Sequence, residues 1–378
     1  MQEVQQSVRA VFMRGGTSKA VFFMREDLPR VSQPHDNPEW NTIFCRVLGS
    51  PDPQGRQLDG LGGGISSLSK IAVIAPSKHP DADVDFTFAQ VGVRDGAVGY
   101  KGNCGNITSA VASYAVDEGL VRSEQPRTTV RIFNTNTRKR VRATVPTSGR
   151  HAAVISESLF AQQPEAGIEL SFLDPGGAAT GKLLPTGGVR DLLRVDGLGE
   201  IEVSCIDAAN PTVFVAATAL GLTGRESPSA LEADASAMRN FEALRMAAAR
   251  AMGLATTEAQ LAALKNLPLV SLLCPAPPGE RAMIHTRMIS AGQPHRATPL
   301  TGAMCLAIAA RIPGSLVAEV LRPRANGLAT ICIGHPTGEI TVSARVSASD
   351  SSLVAHEATV YRTARRLMEG RVLYPVVL

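Results

Sequence analysis

Residues 99–118, GYKGNCGNITSAVASYAVDE, join a glycine-rich turn to a segment with the apolar spacing of a helix. Apolar residues recur on one face from Ile107 to Ala115, and Gly119 stands where a helix commonly ends in a left-handed residue. A helix is therefore predicted from about Asn106 to Glu118, with Cys104 immediately before it.

Short strand-like runs surround this helix. They are 8–16, 19–23, 70–77, 84–93, 129–137, 139–146, 201–208 and 212–218, several with alternating apolar residues. The first two runs predict a hairpin around a Gly-Gly turn.

Two further helices are predicted in the second half of the chain. Residues 230–252 have an amphipathic pattern, and 302–311 are apolar nearly all round, which is typical of a buried helix. The apolar helices at 106–118 and 302–311 each follow a small-residue turn. We therefore predict an α+β chain of two similarly built strand-rich halves, 1–185 and 186–378. Whether the C-terminus supplies the last strand of the first half is left open.

The composition narrows the class of function. The chain has 378 residues, 19% charged and 44% hydrophobic, with a formal net charge of +4. Aromatic residues make up 4% and do not alternate with basic residues, so nucleic acid is not an expected partner. No apolar run approaches the roughly 20 residues of a membrane span, and the N-terminus lacks a secretory signal pattern. We expect a cytoplasmic protein without a membrane partner and leave homodimerisation open.

The six cysteines are dispersed without a CxxC pair, so neither a metal site nor a redox dithiol is expected. Five of them are predicted to be reduced and buried. Cys104 is different because it lies within GNCGN at a predicted helix start, where free backbone N–H groups attract anions. Asn103 and Asn106 add amides that can hold a carboxylate. The alternative is a glycine-rich turn that places a buried cysteine in the core, and spacing alone does not choose.

A second glycine-rich segment, DGLGGGISSLSK at 59–70, ends in Lys70 directly before an apolar strand. A lysine at the mouth of a buried strand loses solvation, which lowers its pKa and allows it to act as a base. Without other information, a solvated lysine at a strand end is the more common arrangement. MRGGTSK at 13–19 is not a Walker A motif; it is either a carboxylate clamp or an ordinary hairpin.

PHRATPLTG at 294–302 contains Arg296, which suits bidentate binding of a carboxylate but equally suits a surface ion pair. His335 and Cys305 are assigned no catalytic role.

Taken in order, these motifs resemble one family. MRGGTSK with KAVFF, SPDPQGRQLDGLGGGISSLSK, GNCGN and RLMEGRV resemble the PrpF-type 2-methylaconitate cis-trans isomerases and their relatives. The relatives include 4-oxalomesaconate tautomerases, 3-methylitaconate isomerases and aconitate isomerases. The resemblance runs from about Val11 to Val372. Ala20, where the family often has glycine, and the loop sequence GGGISSLSK depart from the pattern.

The resemblance implies a diaminopimelate-epimerase-like fold, in which each half wraps round a central helix and the site lies between the halves. It implies a cofactor-free isomerase of small unsaturated di- or tricarboxylates, with Lys70 and Cys104 as the acid–base pair. The implied substrate-binding residues are Thr17, Ser18, Lys19, Ser69, Asn103, Gly105 and Asn106, to which we add Arg296. Two alternatives remain: a two-base racemase or epimerase of the same fold, and a non-catalytic carboxylate-binding protein.

Overall fold

The structure is a computed structural model that describes residues 3–100, 104–264, 267–290, 292–321, 330–349 and 352–377. The chain divides into two compact units. Unit 1 comprises Met1–Ser171 and Tyr361–Leu378, and unit 2 comprises Phe172–Val360. Unit 1 thus ends earlier than the predicted boundary at 185, and the C-terminal segment belongs to it.

Unit 1 is built mainly from strands around one helix. Its strands are β1 (Glu3–Gly15), β2 (Ser18–Met24), β3 (Lys70–Pro76), β4 (Val84–Val91), β5 (Val98–Gly99), β6 (Arg127–Asn134), β7 (Lys139–Ser148), β8 (His151–Ala152) and β9 (Ile168–Leu173). The helices are α1 (Pro38–Leu48), α2 (Gly105–Asp117) and α3 (Glu157–Gln162).

Unit 2 continues with β10 (Asp191–Val195), β11 (Gly199–Ala208), β12 (Asn210–Ala216), β13 (Leu269–Pro275), β14 (Ile284–Ser290), β15 (Gln293–Pro294), β16 (Thr330–His335), β17 (Gly338–Ser349) and β18 (Ser352–Arg362). Its helices are α4 (Pro228–Ala233), α5 (Ala235–Ala251), α6 (Glu258–Ala263), α7 (Leu300–Ala309) and α8 (Leu316–Leu321). The last strand, β19 (Ala364–Val377), pairs with β1 of unit 1.

The two units repeat one topology. In unit 1, β1–β2, β3–β4 and β6–β7 are antiparallel pairs, joined by parallel pairing of β2 with β3 and of β4 with β6. In unit 2, β11–β12, β13–β14 and β16–β17 follow the same scheme, with β12 parallel to β13 and β14 parallel to β16. The prediction of two similarly built strand-rich halves is therefore confirmed.

Strand alternation divides the side chains of unit 1 between two faces. On one face, Val21 and Ile71 pack in a core with Trp40 and Phe44 of α1. On the other, Phe22 contacts Tyr114 of α2, with ring centroids 5.4 Å apart. Because successive strand residues point to opposite faces, each side chain of β2 and β3 faces either α1 or α2.

Most elements predicted from the sequence are present. The hairpin at 8–23 and the helix after Cys104 are confirmed, and Gly119 has a φ of 69°. The apolar helix is also confirmed as α7, whose residues from Gly302 to Ala309 are buried. The single helix predicted over 230–252 is wrong, because the chain breaks at Asp234, whose side chain accepts from two backbone N–H groups and starts α5.

Candidate active site

Lys70 is the first residue of β3 and lies opposite Gln90 of β4. Its alternation with Ile71 places it on the α2 face, where it is 8% exposed. Nζ donates to Oε1 of Gln90 and lies 5.3 Å from the centroid of the Phe88 ring. Burial lowers the pKa of Lys70, and proximity to Cys104 opposes this shift only in part. This lysine is therefore a desolvated amine in the interior of the unit.

The glycine-rich loop before Lys70 packs around one buried side chain. The amide of Gln57 donates to Ser50 Oγ at 2.8 Å and to Ser69 Oγ at 2.7 Å, and accepts from the N–H of Gly64 at 2.9 Å. A Cβ at Gly62 would lie 2.2 Å from the Gln57 side chain. These glycines consequently serve the packing of the loop that holds Lys70.

Ser69 belongs to the same buried network. It is fully buried, and its hydroxyl donates to the carbonyl of Val91 at 2.9 Å while accepting from Gln57. The structure thus places its hydroxyl in a scaffold role, although Ser69 was predicted to bind substrate.

Cys104 precedes α2 as its N-cap residue, but its side chain makes no capping hydrogen bond. The first turn of α2 is closed by a backbone hydrogen bond, in which the N–H of Thr108 donates to the carbonyl of Cys104 at 2.9 Å. The thiol is partly buried and lies 4.0 Å from Oγ of Ser18, which is 4% exposed and also faces α2. The N–H groups of the first turn, including that of Gly105, give this end of the helix its partial positive charge.

Asn106 joins the α2 terminus to the first hairpin. Its Nδ2 donates to Thr17 Oγ1 at 3.1 Å, and its Oδ1 accepts from Nε of Arg362 at 3.0 Å. A Cβ at Gly15 would lie 2.3 Å from Asn106 O, and one at Gly16 would lie 2.4 Å from Asn106 Oδ1. The two glycines of the hairpin therefore permit its close approach to α2. Sequence reasoning missed Arg362, because nothing in its local sequence marks it.

Lys19 does not join this group. Lys19 alternates with Ser18 to the opposite face of β2, where Nζ lies 5.3 Å from the centroid of the Phe12 ring. Arg296 belongs to unit 2 and forms an ion pair with Glu232 at 2.9 Å. For Arg296, the structure therefore shows the surface ion pair that was the alternative to carboxylate binding. Asn103 lies outside the described residues.

The equivalent positions of unit 2 carry no such chemistry. By topology, Leu269 begins β13 as Lys70 begins β3, and Pro299 is the N-cap of α7 as Cys104 is of α2. Cys305 lies further along α7, is fully buried, and donates to the carbonyl of Ile206 at 3.5 Å. Burial raises the pKa of this thiol to about 12. At the start of α7, within the described residues, there is therefore no second thiol of the kind that a symmetric two-base enzyme uses.

The remaining cysteines are free thiols in varied environments. Cys205, Cys305 and Cys332 are buried as predicted, whereas Cys45 and Cys274 are partly exposed, so the prediction of five buried cysteines is wrong for these two. Among the described residues, no group of three or more His, Cys, Asp or Glu side chains is arranged to hold a metal ion.

A surface cavity of about 410 Å³ lies at the far end of β3, lined by residues that include Met24, Arg30 and Pro76. It contains none of the candidate site residues, and Lys70 begins the opposite end of that strand. In the part of the chain that the structure describes, no helix has both the length and the apolar character needed to cross a membrane.

Solved structures of other proteins identify the fold of this chain. A crystal structure of methylitaconate-delta-isomerase superposes with a TM-score of 0.86 at 36% identity, covering 98% of this chain and 96% of that one. A hydroxyproline epimerase from Agrobacterium vitis superposes with a TM-score of 0.54 at 13% identity, covering 97% and 92%. The chain therefore has the diaminopimelate-epimerase-like fold that was predicted.

The sequence comparisons agree over nearly the whole chain. The pattern that defines the PrpF protein family matches residues 5–375. Relatives include 3-methylitaconate isomerase of Eubacterium barkeri, 37% identical over 97% of both chains, and 2-methyl-aconitate isomerase of Shewanella oneidensis, 34% identical over 98% of both. The 4-oxalomesaconate tautomerase of Pseudomonas putida is 35% identical over 97% of this chain and 96% of its own. The chain belongs to the PrpF family, as its motifs predicted, and it is an isomerase.

Proposed function

We propose that this protein moves a proton and a C=C bond in a small unsaturated di- or tricarboxylate, with Lys70 and Cys104 as the acid–base pair. The observation that carries the proposal is a desolvated lysine on the α2 face of β3 that interacts electrostatically with Cys104, the residue that begins α2 without capping it. Substrates named for the relatives, such as 3-methylitaconate, 2-methylaconitate and 4-oxalomesaconate, define the chemical class.

Lys70 is the better base of the two. Burial lowers its pKa, so a larger fraction is neutral amine near pH 7 than in a solvated lysine. The amine takes the proton from an allylic carbon made acidic by conjugation to a carboxylate or keto group. The electrons of the broken C–H bond spread over the C=C bond and the conjugated group, giving an enolate-like anion and an ammonium ion.

Cys104 then completes the shift. Its thiol gives a proton to the distal carbon, the C=C bond forms at its new position, and a thiolate remains. Transfer of the proton from the Lys70 ammonium to this thiolate, directly or through water, restores the starting state. The N–H groups at the start of α2 supply donors for the anionic oxygen, and loss of such a donor typically costs about 2.7–4 kcal/mol of transition-state stabilisation.

Two variants test the order of proton transfer. In D2O, Cys104→Ser should exchange the allylic proton of the substrate for deuterium while forming product slowly, because Lys70 still removes the proton. Lys70→Met should do neither and should lose about 10²–10⁴-fold in rate. Vinyl protons followed by NMR with trans-aconitate, 2-methylaconitate, 3-methylitaconate and 4-oxalomesaconate report both events and identify the preferred acid.

The matched control is Lys78→Met, which removes an exposed lysine just beyond the other end of β3. It should retain the wild-type rate. A Lys70→Met protein with a near-normal rate would show that the base is misassigned, and exchange confined to the Lys70 variant would reverse the two roles. Binding of carboxylates by the wild-type protein without exchange or turnover would instead favour a non-catalytic binding protein.

A further inference from the structure

Arg362 is a cation that contacts the first turn of α2 directly. Its Nε donates to Oδ1 of Asn106 at 3.0 Å, and its Nη1 donates to the carbonyl of Tyr361 at 2.8 Å. Both acceptors are neutral, and within the described residues no carboxylate pairs with this guanidinium. Burial lowers the pKa of Arg362 to about 10.

Neighbouring arginines of unit 1 are neutralised. Arg14 pairs with Glu157 at 2.9 Å, and Arg366 pairs with Glu118 and Glu369, each at 2.6 Å. A partly buried guanidinium without a carboxylate is costly, because the loss of solvation is not offset by an opposite charge. Arg362 therefore differs from Arg14 and Arg366 in having no carboxylate partner among the described residues. An anionic ligand would supply the missing opposite charge.

The position of Arg362 identifies where that anion would lie. Through Asn106 it is joined to Thr17 of the hairpin and to the first turn of α2, which Cys104 begins. A Cβ at Gly16 would lie 3.1 Å from Cδ of Arg362, so the hairpin, the helix start and this side chain converge. A guanidinium beside a helix N-terminus favours a carboxylate through charge and through N–H donors.

We infer that Arg362 binds a carboxylate of the substrate at the amino end of α2, through its Nη2 group, which has no partner among the described residues. This inference rests on the proposed function and adds a specificity residue to the same site. Arg362 thereby takes the role predicted for Lys19, whose side chain lies on the opposite face of β2. It selects acids that carry a carboxylate in addition to the one conjugated with the reacting double bond.

The test measures binding of two unreactive acids to the full chain by calorimetry. Tricarballylate has three carboxylates on a saturated chain, and glutarate has two. Arg362→Met should weaken tricarballylate binding by at least about tenfold, the loss expected for a charge-assisted hydrogen bond. The ratio of tricarballylate affinity to glutarate affinity should therefore be smaller in this variant than in the wild-type protein. Arg362→Lys should recover part of the affinity, because it keeps the charge without the planar donor pair.

Arg366→Met is the matched control. It removes a guanidinium from the neighbouring strand β19 that is already paired with carboxylates, so it should lower thermal stability while leaving tricarballylate affinity within about twofold of wild type. Circular dichroism checks that the Arg362 variants are folded.

The outcomes separate this inference from the proposed function. If Arg362→Met binds tricarballylate as tightly as wild type, Arg362 is not a carboxylate ligand, whatever the NMR assay shows for Lys70. If the Arg362→Lys variant is folded and binds no better than Arg362→Met, the charge is not what matters and the inference is wrong. A wild-type protein that binds neither acid and turns over none of the four substrates overturns both proposals.

Discussion

Gln90 offers a sensitive test of the lysine environment. Its Oε1 accepts from Lys70, while its Nε2 donates to the carbonyls of Ser66 at 3.0 Å and Ser69 at 2.8 Å. Because those two carbonyls fix the orientation of the amide, its oxygen is held towards the lysine. Gln90 therefore favours the ammonium form and opposes the effect of burial on the pKa of Lys70.

Two substitutions of similar size change this interaction in opposite directions. Gln90→Met removes an acceptor to a charged group, worth about 1.5–3 kcal/mol at a site only 8% exposed. At 1.36 kcal/mol per pKa unit, the pKa of Lys70 should fall by about 1–2 units. Gln90→Glu places a carboxylate beside the amine, and an opposite charge at this range raises the pKa by about 1–3 units.

The assay is the pH dependence of kcat/KM. If the neutral amine is the base, kcat/KM rises with pH through the pKa of Lys70, so the rise should move to lower pH in Gln90→Met and to higher pH in Gln90→Glu. Neither substitution keeps the hydrogen bonds from Nε2 to the carbonyls of Ser66 and Ser69. Any change in the loop that follows from their loss is therefore common to the two variants. Shifts in the same direction, or no shift in either variant, would refute the assignment of Lys70 as the titrating base.

Two further predictions concern stability, measured by urea denaturation. Gln57→Leu should cost about 2–4 kcal/mol, because it leaves Ser50 and the Gly64 N–H without a buried partner, whereas exposed Gln54→Leu should change stability by about 0.5 kcal/mol or less. An equal effect of both would argue against the buried network. Asp234→Ala should cost about 0.5–2 kcal/mol through loss of the α5 cap, and an unchanged midpoint would contradict that role.

The sequence predicted the elements on either side of the site because their signals are local. Short continuous apolar runs next to glycine-rich turns marked β2 and β3, and the apolar spacing up to Gly119 marked α2. Lys70 and Cys104 were identified because each stands next to such an element in a family motif. The break at Asp234 was missed, since a capping residue inside a continuous amphipathic pattern does not change its periodicity.

Which side chains meet depended on the tertiary structure. Lys19 and Ser18 are neighbours in one motif, yet alternation sends them to opposite faces, and only the register of β2 against β3 and α2 shows that Ser18 faces Cys104. Arg362 lies 256 residues from Asn106 along the chain, and their hydrogen bond exists because the chain returns to unit 1 before β19.

By itself, then, the sequence determined the family, the two-unit strand-rich fold and the lysine and cysteine proposed to react, because these depend on residue types at fixed spacing. Only the tertiary structure decided that the glycine-rich loop packs on Gln57, that Lys70 is desolvated and held by Gln90, and that the Arg362 guanidinium donates to Asn106 at the start of α2. Those features depend on solvation and on contacts between distant segments.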